Sequence, residues 1–279
     1  MRRIAIAQNT LEILETGNYI SPHGNHVDIA RELEYCFDWT KCYNPERLSK
    51  IETEVLESVF PFSDTKFEVR NETTLMGAER IAKTGKFQKI GVLNFASAKN
   101  PGGGFLKGAQ AQEESLARSS ALYKSQLKCR EYYDFHRAER SLLYSNWMIY
   151  SPSCPVFKND DGTLLEHPYV VDFITSPAPN AGMIQKNQPQ ALGKIPEVLQ
   201  SRTSKVLSLA ANRGCDALIL GAWGCGVFRN DPAMVAQIFA DFLLAGGQFS
   251  GRFKSVIFSV LDSSKQQGTF TEFYKRFYF

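Results

Sequence analysis

From residue 66 onward, short apolar runs alternate with longer amphipathic ones, and this alternation constrains the fold more than any other feature. The short runs predict strands over 66–71, 90–95, 147–150, 169–175, 217–220 and 256–261. The longer runs predict helices over 74–83, 113–128, 195–212, 232–245 and 270–277. Strands and helices in alternation are typical of a layered α/β domain.

The N-terminal part of the chain has a different pattern. Ile4, Ala7, Leu11 and Leu14 recur at helical spacing and stop before Gly17, after which turn-forming residues follow. We therefore expect a helical and irregular extension, residues 1–62, packed on an α/β domain of residues 63–279. With 279 residues, of which 43% are hydrophobic, the chain is long enough to bury a large core.

Composition excludes several classes of function. The net charge of +3 comes without a long basic run, which argues against a sequence-independent nucleic-acid-binding face. Six cysteines without a repeating framework indicate a reducing compartment, and no apolar leader or membrane-length run is present. His23, His26, Cys36 and Cys42 do not have the spacing of a common zinc site. We expect a soluble, intracellular (cytoplasmic or nuclear) monomer without a metal.

A glycine-rich loop follows the predicted strand 90–95. Gly102, Gly103 and Gly104 have no Cβ, so the backbone there can adopt positive φ and approach a ligand closely. Seven residues separate Gly104 from Gln112, and the next two residues, Glu113 and Glu114, fall in the first turn of a predicted helix. This pairing predicts phosphate binding coupled to acid chemistry. Ordinary tight turns and carboxylates that only complement the helix dipole are the alternative interpretations.

A second loop follows the predicted strand 217–220, and its centre reads Gly224-Cys-Gly-Val-Phe228. Asp231 is a good N-cap and Pro232 a good first helical residue, so N–H groups of loop and helix could converge on a diphosphate. Phe228 would form an apolar wall against a sugar. Cys225, between glycines, would be a small neutral wall rather than a nucleophile. Because ligands of open α/β sheets bind beyond the carboxyl ends of strands, we expect both loops to face one crevice.

These motifs resemble those of a known family. The string from Gly102 to Gly104, seven residues, then Gln112-Glu-Glu resembles the signature of the bacterial-type poly(ADP-ribose) glycohydrolases, which have a macrodomain fold. The run from Gly224 to Phe228 resembles their diphosphate-binding loop, and the asparagines Asn94 and Asn100 resemble the approach to the macrodomain ribose loop. The resemblance implies a three-layer α/β/α macrodomain-like mixed sheet with an N-terminal helical extension, and it implies no cofactor.

By this resemblance, the substrate is poly(ADP-ribose), and hydrolysis of its ribose–ribose O-glycosidic bonds releases ADP-ribose. Glu114 then acts as general acid/base on the leaving oxygen, and Glu113 holds ribose hydroxyls. Adjacent helical residues point about 100° apart and do not flank one bond, so Glu114 itself or the substrate diphosphate is expected to activate water. The residues expected to contact substrate are Asn94, Asn100, Gly102, Gly103, Gly104, Gln112, Gly224, Cys225, Gly226, Val227, Phe228 and Phe270.

Other interpretations stay open at this point. The same loops would suit an ADP-ribose-binding reader macrodomain without catalysis, although the presence of both glutamates argues against it. They would also suit a mono-ADP-ribose hydrolase that acts on modified protein. Phe270 or Phe273 could stack on the adenine, and the alternative for each is packing of a C-terminal amphipathic helix.

Overall fold

A computed structural model describes residues 2–278 of the chain. Its helices and strands have these bounds: α1 Arg2–Thr16, β1 Asn18–Ile20, β2 His26–Asp28, α2 Ala30–Trp39, β3 Lys41–Tyr43, α3 Pro45–Glu57, β4 Lys66–Arg70, α4 Thr74–Ala82, β5 Ile90–Phe95, α5 Gln112–Ser119, α6 Leu122–Gln126, α7 Arg130–Ala138, β6 Met148–Lys158, β7 Leu164–Ser176, α8 Ala181–Asn187, α9 Ile195–Asn212, β8 Ala217–Leu220, α10 Pro232–Leu243, β9 Ser255–Ser259 and α11 Gly268–Phe277. Two short 3-10 helices span Phe105–Lys107 and Pro189–Lys194.

Seven strands form one mixed sheet in the order β3-β6-β7-β5-β8-β9-β4. The run from β7 to β4 is parallel throughout, whereas β6 pairs antiparallel with β7 and β3 pairs antiparallel with β6. The carboxyl ends of the parallel strands therefore lie along one edge of the sheet. The loops that follow β4, β5, β8 and β9 leave the sheet side by side at this edge.

Alternation along the central strands divides the core into two layers. On β9, Val256 and Phe258 pack in one apolar cluster, whereas Ile257 between them packs in the other, as the two-residue period of a strand requires. Helices α3, α9, α10 and α11 cover the first face of the sheet, and α1, α2, α4, α5 and α6 cover the second. The predicted three-layer α/β/α arrangement is confirmed.

The first 62 residues contribute to the sheet and its layers. Strand β3 pairs with β6 through Cys42 and Ile149, and α3 and α9 share one apolar cluster. Helix α1 is fixed by Lys158, whose Nζ donates to Thr10 Oγ1 at 2.8 Å and to the Ile6 carbonyl at 3.1 Å. Burial lowers the pKa of Lys158 to about 8. Helices α2 and α3 occupy the stretch that the sequence pattern described as turn-rich.

The predicted helix over 113–128 is wrong in its length. Helix α5 ends at Ser119 because Ser120 adopts extended backbone angles and forms a bridge to Val156 of β6. The amide of Ala121 also donates to the Pro155 carbonyl at 3.1 Å. This strand-like pairing overrides the helical periodicity. The strand predicted over 147–150 is longer than expected and continues to Lys158, and helix α7 was not predicted.

Between Arg2 and Tyr278 there is no helix with the length and hydrophobicity needed to span a lipid bilayer.

Candidate active site

A cavity of about 1150 Å³ lies at the carboxyl ends of the parallel strands. Its walls come from the loop after β5, the first turn of α5, and the loops after β8 and β9. The residues singled out from the sequence that line it are Asn100, Gly103, Gly104, Gln112, Glu113, Glu114, Gly224, Cys225, Gly226, Val227 and Phe228. The two sequence motifs are thus brought together in one space.

Three of the singled-out residues, Asn94, Gly102 and Phe270, are not among the residues that line the cavity. Asn94 is fully buried, and its Nδ2 donates to Glu113 Oε1 and to Thr175 Oγ1, both at 3.1 Å. The amide of Gly102 donates to Gln126 Oε1 at 2.7 Å. Phe270 is half-buried against the core, one residue after Thr269, which does line the cavity. Phe273 is fully buried and packs in the core. In this structure Asn94 and Gly102 hold the wall in place.

The glycine loop lies directly against Glu114. Gly102 and Gly103 have φ values of +63° and +58°, and the amide of Gly104 donates to Glu114 Oε1 at 2.9 Å. A Cβ added to Gly103 would lie 2.4 Å from the same oxygen, closer than real contacts allow. Within residues 2–278, Glu114 Oε2 accepts no hydrogen bond, and the half-buried side chain borders the cavity. One carboxyl oxygen is thus fixed by the backbone while the other is left for a ligand.

Glu113 has a different environment from its neighbour. Its side chain is only 2% exposed. Oε1 accepts from Asn94 Nδ2 at 3.1 Å and from Gln126 Nε2 at 2.8 Å, and Oε2 accepts from the Ser97 amide at 2.6 Å. Burial raises the pKa of Glu113 to about 7, even though these three N–H donors favour the ionised form. The two adjacent carboxylates are therefore chemically unequal.

Two glutamine side chains fix the backbone around the site through hydrogen bonds. Gln112 Oε1 accepts from the Phe95 amide and Gln112 Nε2 donates to the Leu93 carbonyl, each at 2.8 Å, so the side chain extends the hydrogen bonding of β5. Gln126 joins the Gly102 amide to Glu113. Gln126 was missed from the sequence because it lies in α6, beyond the break at Ser120, where no local pattern points back to the loop.

The second loop leads into α10, and this helix starts as the sequence predicts. Asp231 Oδ1 accepts from the Ala233 amide at 3.0 Å, and Pro232 is the first residue of α10. Gly224 has φ +71°, and a Cβ there would lie 2.5 Å from Ala178 Cβ. A Cβ on Gly226 would meet no atom within 4 Å, so this backbone is open. Such an open glycine lets a ligand approach the main chain.

Aromatic and sulfur groups complete this wall. The Phe228 ring lies 6.2 Å from the Tyr144 ring, and both residues line the cavity. Tyr144 comes from the segment before β6 and was not identified from the sequence. Burial raises the pKa of the Cys225 thiol to about 12, so the thiol is neutral near pH 7. This supports its interpretation as a small neutral wall.

The four residues weighed as zinc ligands do not converge. His23 Nδ1 lies 2.8 Å from Glu166 Oε1, while the Cys36 thiol contacts Cys154 and the Cys42 thiol contacts Cys129. Over the part of the chain that the structure describes, no cluster of His, Cys, Asp and Glu has the arrangement of a metal site.

The raised pKa of Glu113 predicts that the stability of the fold depends on pH. Its pKa rises from 4.5 to about 7 on folding, so its contribution to the free energy of unfolding is fully present below pH 4.5 and is lost as pH rises through 7. The loss should amount to about 3 kcal/mol. Glu113→Gln lacks this titration. We therefore expect the free energy of unfolding of the wild type to fall relative to that of the variant across this window, as measured by urea denaturation.

Glu46→Gln is the matched control, because Glu46 is an exposed carboxylate in the first turn of α3. Its stability should run parallel to that of the wild type across the same window. A constant difference between the wild type and Glu113→Gln at every pH would show that Glu113 does not titrate there.

Known proteins are similar to this chain over most of its length. The family model for the catalytic domain of microbial-type PARG matches residues 7–159. The solved structure of poly(ADP-ribose) glycohydrolase from Thermomonospora curvata is 46% identical, with a TM-score of 0.94 and 99% of each chain covered. The structure of that enzyme bound to the inhibitor ADP-HPD is 46% identical, with a TM-score of 0.91 and 99% of each chain covered.

A second organism provides a further match. The enzyme from Deinococcus radiodurans in complex with ADP-ribose is 42% identical, with a TM-score of 0.83, covering 88% of this chain and 96% of that chain. The search of curated proteins found no match. The family model covers the glycine loop and both glutamates, and the structural matches extend over the second loop as well.

Proposed function

Since this chain belongs to the family of microbial-type poly(ADP-ribose) glycohydrolases, we propose that it hydrolyses ribose–ribose O-glycosidic bonds of poly(ADP-ribose) and releases ADP-ribose. Its similarity to enzymes solved with the inhibitor ADP-HPD and with ADP-ribose supports the substrate class. The observation that carries the proposal for catalysis is the contact between the glycine loop and Glu114. Because the glycine backbone binds one carboxyl oxygen of Glu114, the other oxygen is available to the sugar.

The cavity suits an ADP-ribose unit in one orientation. The open backbone around Gly226 and the start of α10 suit the diphosphate, because N–H groups and the helix dipole both favour an anion there. The distal ribose then lies on the cavity side of the glycine loop, against Glu114 Oε2, with Phe228 as its apolar wall. Phe270 is the proposed partner of the adenine, supported by its position next to Thr269 at the cavity edge.

In the proposed mechanism, Glu114 donates a proton to the leaving ribose oxygen as the glycosidic bond breaks. The developing oxocarbenium ion is captured by water, and the Glu114 carboxylate accepts the water proton. Glu113 suits a different role, because its three N–H donors leave about one of a carboxylate's four acceptor positions for a ribose hydroxyl. Nearly fully buried where it lines the cavity, Glu113 orients the sugar and fixes the loop through the Ser97 amide.

The other parts of the proposal concern the whole chain. Residues 63–279 form the catalytic domain, which is supported by the cavity lining, since among residues 2–278 it runs from Glu72 to Thr269. Residues 1–62 support this domain through β3 and α1. A reducing, intracellular location and a monomeric working unit are proposed, and the first is supported by six free cysteines.

The test compares two substrates. Purified protein is incubated with poly(ADP-ribose) and, separately, with mono-ADP-ribosylated protein, and free ADP-ribose is quantified by chromatography. We expect release from the polymer. If the polymer persists while ADP-ribose still binds, the protein is a reader. If only the mono-modified protein is consumed, it is a mono-ADP-ribose hydrolase.

A further inference from the structure

A second cavity of about 480 Å³ adjoins the active site. Lys107, Gln110 and Asp160 line both cavities, so the two spaces are neighbours that share part of their walls. The second space is lined by the first turn of α1 and by Arg118 of α5, which lies one helical turn beyond Glu114. Lys107, at the end of the 3-10 helix that follows the glycine loop, also lines it.

Cationic side chains dominate this second cavity. Arg2, Arg3, Lys107 and Arg118 line it, against the two carboxylates Asp160 and Asp161. The balance is reversed in the active-site cavity, where five carboxylates face two lysines. A basic space next to an acidic one is suited to an anion that extends beyond the catalytic centre.

Arg118 is built into this space. Its side chain is nearly fully buried, and Nη1 donates to the Ala109 carbonyl at 2.7 Å while Nη2 donates to Gln110 Oε1. Its Nε makes no hydrogen bond within residues 2–278. Burial lowers the pKa of Arg118, and the nearby Arg3 lowers it further, while the Glu114 carboxylate acts in the opposite sense. The charges of Arg3 and Glu114 therefore both act on the Arg118 guanidinium.

The arginines of α1 are not explained by helix stability. Arg2 and Arg3 occupy the first turn, which contains no acidic residue. Cations there oppose the helix dipole at a cost of several tenths of a kcal/mol. Arg2 Nη2 donates only to the Asp161 carbonyl, at 3.2 Å, and within residues 2–278 the Arg3 head group has no hydrogen bond. Both charges are therefore free to act on a ligand while α1 is anchored through Thr10.

We propose that the second cavity is a subsite for the diphosphate of the next ADP-ribose unit, on the leaving side of the scissile bond. This inference rests on the proposed function. The leaving ribose carries its own diphosphate on its 5′ oxygen, so that anion lies one sugar away from the bond that Glu114 protonates. A polymer occupies both spaces, whereas a single ADP-ribose occupies only the first.

The test measures binding, so that it does not depend on turnover. In a Glu114→Gln background, fluorescence anisotropy gives the affinity for labelled poly(ADP-ribose) and for labelled ADP-ribose. Arg2→Gln combined with Arg3→Gln should weaken polymer binding about fivefold. It should also reduce the slope of log affinity against log salt by roughly 0.7 to 0.9 for each phosphate that the variant no longer neutralises. The affinity for ADP-ribose should stay within about twofold of the Glu114→Gln parent, the resolution expected of such a titration.

Arg31→Gln combined with Lys50→Gln is the matched control, because it removes two exposed charges that line neither cavity. It should leave both affinities and the salt slope unchanged. Equal weakening of polymer and monomer binding, or equal effects of the two double variants, overturns the subsite. The wild type could fail to release ADP-ribose from polymer while the Arg2/Arg3 double variant still weakens binding of polymer and not of ADP-ribose. In that case the proposed reaction fails and the subsite stands.

Discussion

Glu114→Gln is expected to slow hydrolysis of poly(ADP-ribose) by about 10²- to 10⁴-fold, the usual loss when a general acid/base is removed. The substitution keeps the shape of the side chain and keeps an oxygen for the Gly104 amide. It removes the only proton that the side chain could deliver. ADP-ribose affinity should therefore change little while turnover is lost. Single-turnover rates and calorimetric binding measure the two effects separately.

Glu46→Gln is again the control for this substitution. Glu46 lies in the first turn of α3, as Glu114 does in α5, so both changes remove the same helix-dipole interaction. If Glu114 served only to complement the dipole, the two variants would hydrolyse polymer equally well. Equal activity would remove Glu114 from the mechanism without affecting the fold or the ligand site.

Gly103→Ala should be the second most damaging change, with about a hundredfold loss of hydrolysis. A Cβ at this position would lie 2.4 Å from Glu114 Oε1, so the carboxyl group or the loop must move. A displacement of about 1 Å is enough to cost two orders of magnitude in rate. Alanine at a φ of +58° also destabilises the fold by about 1 kcal/mol. Kinetics and thermal unfolding distinguish these two effects.

Gly85→Ala separates backbone strain from the contact with Glu114. Gly85 has a similar φ of +63°, but a Cβ there would meet nothing within 4 Å. The two variants should lose comparable stability, and only Gly103→Ala should lose activity. If both retain full turnover, the close approach of the loop to the carboxyl group has no catalytic role.

The central strands could be predicted because their signals are local. Strands β5 and β8 match their predicted bounds, since each is a short, almost continuously buried run. Helix α9 also matches over its whole length. The helix over 113–128 could not be predicted correctly, because its interruption depends on pairing between Ser120 and Val156. That pairing joins distant parts of the chain and leaves no local pattern.

The residues of the site also divide into those with a local sequence signal and those without one. The glycines and both glutamates could be identified because they lie in one short stretch of the sequence. Asn94 and Gln112 were singled out as contacts to substrate, whereas the structure uses their amide groups within the protein, at Glu113 and at the end of β5. Gln126 and Tyr144 were not found, because each reaches the site only through the tertiary fold.

Three hydrogen bonds connect the segment between residues 94 and 126. Asn94 and Gln126 each donate to Glu113, and the Gly102 amide donates to Gln126. An insertion or deletion between 94 and 102, or between 113 and 126, would shift one partner away from the others. The hydrogen bond from the Gly104 amide to Glu114 spans the stretch between the glycines and the glutamates in the same way. Chains related to this one should therefore keep the lengths of all three stretches, because a change of size in any of them would disconnect the carboxylates from the glycine loop.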